Sequence, residues 1–285
     1  MNVPMVNINQ QKLAEIFTDT IHHKAVAEII HARSTNKLDV RNAALDGLQL
    51  QNSKIALDIG CGFGFFTIAL KGRLFPGSSI LGIDLCTKYR TSYLESCRIA
   101  GLQGKFSGNG EKAITTIPTD SVDLVICSYA LYFFPAIIQE VSRILKSSGV
   151  FIIITHSENH LKEIITFLSK TFDIMGIQKP DSFPCQDLID NFNNSNGYRL
   201  LSPWFGQVKE KEYRNSLHFE ISDFEDLEKY FRFKQPHFIP DNIDNKNIIF
   251  NKMIYRLRKY LQSGNHFNIT KDDSIFICKE PLFNK

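Results

Sequence analysis

The chain has 285 residues, enough for one large α/β domain with an extension or for two modest domains. Its 43% apolar and 22% charged residues exclude collagen-like, coiled-coil and wholly disordered chains, and a formal net charge of +3 lies far from the basic excess of a nucleic-acid binder. The 23 phenylalanines, against one Trp and four Met, imply a large core, a lined pocket, or both.

From Leu13 to Ile30 the apolar residues Leu13, Ile16, Phe17, Ile21, Val26, Ile29 and Ile30 recur in steps of three to five, the stripe of an amphipathic helix. Polar residues Arg33 to Lys37 break it, and a second short helix is expected over Val40 to Leu48. The period then changes. Lys54 to Ile59, Ser79 to Asp84, Ser121 to Ser128 and Gly149 to Thr155 are short, nearly continuous apolar runs, the pattern of strands buried on both faces of a parallel sheet. Helix-length segments separate or follow them, at Phe65 to Lys71, Thr87 to Ala100, Pro135 to Lys146 and Glu158 to Phe172. This alternation predicts a doubly wound α/β fold, whose ligands sit at the carboxyl ends of the strands.

After Phe172 the rhythm is lost. Ile174 to Asp187, with Gly176, Pro180 and Pro184, reads as an irregular loop, and the Asn-rich stretch Asn191 to Asn196 as a turn. Gly206 to Phe219 reads as one strand with a wet face, Asp223 to Phe233 and Asn247 to Leu261 as amphipathic helices, and Asp273 to Lys279 as a closing strand. The expected division is an N-terminal helical extension (1–53), a main domain (54–219 and 266–285) and a helical cap (220–265) inserted between late strands.

Cys61, Cys86, Cys97, Cys127, Cys185 and Cys278 are spread singly, which predicts free thiols in a reducing compartment. Met1-Asn-Val-Pro shows no secretory pattern, and no run of about 18 apolar residues is present, so a cytoplasmic protein without a membrane partner is expected. The sequence gives no indication of oligomeric state.

The chemistry concentrates after the first strand, in Ala56-Leu-Asp-Ile-Gly-Cys-Gly-Phe-Gly-Phe-Phe-Thr67. Gly60, Gly62 and Gly64 let the backbone turn sharply and bring a ligand against bare main chain at a helix N-terminus. The next strand ends in Gly82-Ile-Asp84, where an acid can accept both hydroxyls of a ribose. A dinucleotide fits poorly: Phe65 stands where its fingerprint needs a third glycine, and Asp58 would repel a pyrophosphate. A carboxylate there suits a ligand with a cationic amine and no phosphate, such as S-adenosyl-L-methionine.

This segment resembles motif I of the class I S-adenosylmethionine-dependent methyltransferases, with a domain of the methyltransferase-11 type. The likeness continues in order through Gly82-Ile-Asp84-Leu85, Gly108-Asn-Gly-Glu111, Ser121 to Tyr132 and Leu145-Lys-Ser-Ser-Gly149, covering roughly residues 54 to 156. Gly110 departs from it, since the family commonly has Ala before the acid. The resemblance implies a mostly parallel, seven-stranded, Rossmann-like methyltransferase fold. It implies that Asp58 lies near the methionine amine, that Gly60, Cys61, Gly62 and Gly64 approach the methionine portion, and that Asp84 and Leu85 hold the ribose. It further implies that Asn109, Gly110 and Glu111 face the adenine, while Ser128 and Tyr129 line the sulfonium side. S-adenosyl-L-homocysteine would be the product.

The implied activity is methyl transfer to a small-molecule nucleophile through O, N, S or C. An RNA acceptor on the basic late helix (Lys252, Arg256, Arg258, Lys259) and a non-catalytic cofactor-binding partner protein are the alternatives. A hydroxyl or carbon acid needs a base, and His156, just after the fifth strand, and Tyr132 are the first candidates. His156 and His160 share a helical i, i+4 spacing, but no third ligand is evident, so no catalytic metal is expected. Pro184-Cys185 mimics a nucleophile motif but falls in a late loop. Phe224, Tyr230, Phe231 and Phe233, with Tyr198 and Trp204, are candidate walls of the acceptor pocket.

Overall fold

A computed structural model of the chain describes residues 17–240 and 242–283; Leu13 and Ile16 of the first helical stripe lie outside them. The elements begin with helices α1 (Thr20–Arg33) and α2 (Val40–Leu45). Next come β1 (Ile55–Ile59), α3 (Phe65–Ala69), β2 (Ser79–Ile83), α4 (Arg90–Ala100), β3 (Gln103–Ser107), α5 (Lys112–Thr115) and β4 (Val122–Ser128). They continue with α6 (Ile138–Ile144), β5 (Leu145–His156), α7 (Lys162–Met175), α8 (Pro184–Ile189), α9 (Gly197–Leu201) and β6 (Phe205–Tyr213). The last are β7 (Ser216–Phe219), α10 (Phe224–Phe238), α11 (Lys246–Gln262), β8 (Phe267–Thr270) and β9 (Asp273–Pro281).

Seven strands form the main sheet in the order β3-β2-β1-β4-β5-β9-β6. The pairs from β3 through β5 are parallel, and β9 runs antiparallel to both β5 and β6. This is the doubly wound, mostly parallel sheet implied by the resemblance. Its strand order reverses between β1 and β4, which opens a crevice at their carboxyl ends. Successive residues point to opposite faces, and both faces are apolar: Leu57, Val125 and Ile153 pack with α6 on one side, while Ala56, Leu124 and Ile152 pack with α2, α3 and α4 on the other.

Three parts of the sequence reading change. The stretch 103–107 is a strand that carries no apolar run, because β3 is an edge strand with alternately exposed residues. The expected single strand from Gly206 to Phe219 is two strands: the chain leaves the main sheet at Arg214 and Asn215, and β7 pairs only with β8. Within the expected loop after Ile174, Pro184 opens the short helix α8, as suits a residue without an N–H.

Helices α10 and α11 and the β7–β8 ribbon form a second apolar cluster with α1 and α7, built on Ile164, Phe172, Leu217, Phe219, Leu227, Phe231, Phe250, Met253 and Leu257. Phe224, Tyr230 and Phe231 are buried in it. Arg33 clamps α1 to this unit through Asp223 at 2.6 Å and Asp226 at 2.7 Å, while Ser34 bridges Leu217.

The sheet crevice depends on a close approach at Gly60. Its φ is +69°, and a Cβ there would lie 2.4 Å from the Cβ of Ala130, in the loop after β4. Gly47 has a similar φ of +72° with nothing within 4 Å. Gly60→Ala therefore carries both left-handed strain and overpacking, whereas Gly47→Ala carries the strain alone. Urea unfolding is expected to show Gly60→Ala more destabilised than Gly47→Ala by about 1 to 3 kcal/mol.

Candidate functional site

The turn after β1 is held by its own amides. Gly60 and Cys61 donate to the carbonyl of Ile83 at 2.8 and 3.1 Å, and Gly62 donates to Oδ2 of Asp84 at 2.9 Å. Asp84 Oδ1 accepts from the Cys86 amide at 2.9 Å, so one carboxylate ties the glycine turn to the segment after β2. Burial raises the Asp84 pKa, while the two amide bonds oppose that shift. Gly62 has φ +47° and nothing within 4 Å of where a Cβ would be. Bare backbone thus faces open space beside a carboxylate, the cradle a ribose-bearing cofactor requires.

Asp58, expected near the methionine amine, is the penultimate residue of β1. It is buried beneath the turn, accepts from the Thr67 hydroxyl of α3 at 2.8 Å, and has its pKa raised to about 7, chiefly by burial. Gly64 caps α3 at φ +78°. Leu85 and Gly110 meet directly: Gly110 has φ +55°, and a Cβ there would come 2.6 Å from Leu85 Cδ2. Its departure from the family's Ala therefore has a local cause. Asn109 donates its amide to Ser107 Oγ, and Glu111, its pKa raised by burial, leads into α5.

A polar patch lies where β4, β5 and β9 meet. Asp273 is 1% exposed; its Oδ1 accepts from His156 Nδ1 at 2.8 Å and its Oδ2 from the Tyr129 hydroxyl at 2.6 Å. Lys271 Nζ stands 3.5 Å from the same Oδ2 and 4.9 Å from the centre of the Tyr129 ring. Tyr129 follows Ser128, the last residue of β4, in a left-handed conformation with φ +56°, uncommon for a bulky residue. The rings of Tyr129 and Tyr132 lie 4.7 and 5.8 Å from that of His156. Since Asp273 can only accept, His156 carries its proton on Nδ1 and presents a lone pair on Nε2. Burial, with Lys271, Lys234 and His237 nearby, holds His156 well below the usual imidazole range, so it is neutral at pH 7.

The third partner absent from the sequence reading is therefore Asp273: with His156 and His160 it brings three ligand atoms within 4.8 Å of one another. The two imidazoles, however, stack 3.6 Å apart with 10° between their planes, so their lone pairs lie in parallel planes and do not converge on a point. Lys271 beside the same carboxylate opposes a cation further. The arrangement suits proton handling better than metal ligation.

An aromatic group from distant elements adjoins the glycine turn. His23 of α1 pairs with the Tyr89 hydroxyl at 2.6 Å, stacks on Phe233 of α10 at 5.4 Å and lies 5.3 Å from the Phe63 ring. Of the proposed walls, Phe233 is placed here. Phe224, Tyr230 and Phe231 pack the second core instead, Tyr198 is 60% exposed, and Trp204 packs on the main core. Cys185 is buried with its thiol pushed up to about 12, so Pro184-Cys185 forms no nucleophile, and all six cysteines are free and buried. Among the described residues no helix is long and apolar enough to cross a membrane.

Residues 57–153 match the family described as methyltransferase domain. Similar curated proteins include an uncharacterized methyltransferase, YcgJ, of Bacillus subtilis (strain 168), 27% identical over 155 residues, with 52% of this chain and 59% of that protein covered. Demethylmenaquinone methyltransferase of Geobacillus stearothermophilus is 22% identical over 153 residues, covering 52% of this chain and 64% of the relative. The chain spans between 36% and 64% of the length of the curated relatives it matches. Among solved structures, the [4+2]-cyclase SpnF superposes with a TM-score of 0.56 at 13% identity, covering 94% of this chain and 96% of that one; it shares the fold.

Two outcomes follow from this geometry. Asp84→Asn keeps one acceptor but turns an amide donor against a backbone donor, and charge-assisted hydrogen bonds contribute about 1.5 to 3 kcal/mol. Calorimetry is expected to show S-adenosyl-L-homocysteine bound at least about tenfold more weakly, with an unchanged circular dichroism spectrum. Burial also lowers the pKa of His23 to about 4, so the unfolded chain takes up a proton near pH 6.5 that the folded chain refuses. Its stability contribution is lost as pH falls from about 6.5 towards 4; His23→Phe should flatten stability against pH there by up to about 1.4 kcal/mol per unit.

Proposed function

We propose, for a chain that belongs through residues 57–153 to the class I S-adenosylmethionine-dependent methyltransferases, that it transfers a methyl group to a small organic nucleophile held between the β4–β5–β9 patch and α10. The observation that carries this reading is the pairing of His156 with Asp273, at the same carboxyl edge of the sheet as the glycine turn. S-adenosyl-L-methionine is the cofactor of the domain and supplies an electrophilic methyl group already activated as a sulfonium.

The chain's own residues then have three tasks. The turn from Gly60 to Gly64 and the Asp84 carboxylate bind and orient the cofactor, with Leu85, Asn109, Gly110 and Glu111 at its adenine end. Ser128 and Tyr129 flank the reacting side, and Tyr132 adds an aromatic wall beside His156. Asp58, protonated or charged near neutral pH, supports α3 through Thr67 and lies beneath the methionine portion.

His156 Nε2 accepts the proton of a hydroxyl or carbon acid as the nucleophile attacks in line. Asp273 is a positioning residue: it fixes the tautomer and stabilises the imidazolium that forms. Phe233 and His23 exclude water from above the turn. The small-molecule acceptor is favoured over RNA because all four cations of α11 lie over rings: Arg256 4.7 Å over Phe167, Arg258 5.2 Å over Phe224, and Lys252 and Lys259 5.8 and 5.9 Å over Tyr255.

Incubation with methyl-labelled S-adenosyl-L-methionine and a metabolite extract is expected to yield a labelled small molecule. His156→Ala should lower that turnover by about 100-fold or more while S-adenosyl-L-homocysteine affinity stays unchanged. Cofactor binding without any labelled product would favour the non-catalytic alternative, and label confined to an RNA fraction would favour the other.

A further inference from the structure

The β7–β8 ribbon is the neck of the late helical unit: the chain enters that unit after Phe219 and leaves it before Phe267, and these two residues pair across the ribbon. Leu217, Phe219, Phe267 and Ile269 are buried, so the alternation of a strand turns the residues between them to the opposite face. His218 stands opposite Asn268 in the ladder. One step further out, Glu220 continues in extended backbone at φ −110° and ψ 179°, with His266 across from it. Four polar side chains, two from each strand, therefore gather on the outer face of the neck.

Three of them aim ligand atoms at one another. Glu220 Oε1 lies 3.6 Å from His218 Nε2 and 3.7 Å from His266 Nδ1, and all three atoms fall within 4.8 Å of one another. Those two separations exceed a hydrogen bond, so the carboxylate oxygen stands between two imidazole nitrogens and bonds neither. Nitrogen and oxygen ligands on a tetrahedral ion at about 2.0 to 2.2 Å stand about 3.3 to 3.6 Å apart, close to the spacing already present. The two rings lie 5.2 Å apart with 40° between their planes, unlike the parallel stack of His156 and His160, so their lone pairs can converge.

Two of the ligands are oriented in advance. His218 Nδ1 pairs with Asn268 Oδ1 at 2.7 Å; an amide oxygen only accepts, so the proton sits on Nδ1 and the lone pair of Nε2 faces Glu220. The Glu220 carboxylate accepts from the Asp223 amide in a capping box, and the Glu220 amide donates to Asp223 Oδ2 at 3.0 Å.

We propose that His218, Glu220 and His266 bind a divalent transition cation of the zinc class, with Asn268 as the residue that positions His218 and water completing the shell. Two imidazoles with one carboxylate suit zinc, copper or nickel, whereas magnesium and calcium take oxygen shells. The role of the site is structural. Its ligands come from both ends of the late helical unit, so one ion ties the entry of that unit to its exit and restricts the chain between them. Glu220 is joined through Asp223 to the start of α10, and α10 carries Phe233 onto His23, so the clasp steadies the roof of the glycine turn from its far end.

Calorimetry of the tag-free full chain with zinc chloride tests the site. One equivalent is expected to bind, and an excess of magnesium chloride should not displace it. His218→Gln and His266→Gln, both at exposed positions, should each weaken binding by at least about tenfold, and Asn268→Leu by about tenfold through loss of the oriented tautomer. Amide hydrogen exchange over residues 218–226 and 264–270 should slow when zinc is added to the wild type and stay unchanged in His218→Gln. Absence of binding, binding that survives both histidine variants, or bound zinc that leaves exchange at the neck unchanged overturns the proposal. Full affinity in Asn268→Leu overturns the positioning role of Asn268. None of these measurements involves the cofactor or an acceptor, so they stand or fall apart from the methyl-transfer reading.

Discussion

Three consecutive amides, at Gly60, Cys61 and Gly62, are received by the last carbonyl of β2 and the carboxylate that follows it. These bonds turn the chain at the end of β1 while joining β1 to the segment after β2. They leave the open side of Gly62 facing the crevice. The close fit of Gly60 on Ala130 locks the same turn to the loop after β4, and that loop carries Tyr129 and Tyr132 into the polar patch. The proposed cofactor cradle and acceptor site thus share a single hinge of backbone, so a shift of the turn would move both. Burial of the Asp84 carboxylate is tolerated because two amides satisfy it in the absence of any ligand.

Much of the sheet could be read from residues alone, since strands buried on both faces leave a continuous apolar signature. β1, β2, β4 and β5 are such strands, and the resemblance rested on the turns that follow them. Polar strands were invisible for the same reason: Gln103–Ser107 lies at an edge, and Phe267–Thr270 pairs only within the two-stranded ribbon. In the candidate site, Asp84 and the glycines declared themselves through local spacing. Asp273, Lys271 and His23 did not, because each reaches the site through contacts remote in sequence. One signal was available for Asp273. The closing strand begins at Asp273 and pairs antiparallel with β5, and in that register His156 stands opposite Asp273. A reading that paired the last strand before assigning roles would have found the dyad.

The phenylalanine excess divides between two tasks. Three of the six aromatic residues expected as pocket walls, Phe224, Tyr230 and Phe231, fill the second core under α10 and α11, where they give an inserted unit its own apolar interior. Phe233 is only partly buried and stacks on His23, whose ring also touches Phe63 of the glycine turn. One aromatic group therefore joins the N-terminal helix, the late helical unit and the glycine turn. Arg33, paired with Asp223 and Asp226, anchors the other end of α1 to α10, so the roof moves as one piece or not at all.

The electrostatics of the two halves of the site are complementary. Asp84 and Asp58 lie by the proposed cofactor cradle, where a cationic sulfonium and amine are expected, whereas Lys271 and the stacked rings of His156 and His160 mark the proposed acceptor side. Burial holds both imidazoles well below the usual range, so they are neutral at pH 7 and add no charge before the acceptor arrives. In the proposed mechanism the Asp273 carboxylate fixes the His156 proton on Nδ1, which leaves Nε2 as the atom free to take a proton from the acceptor.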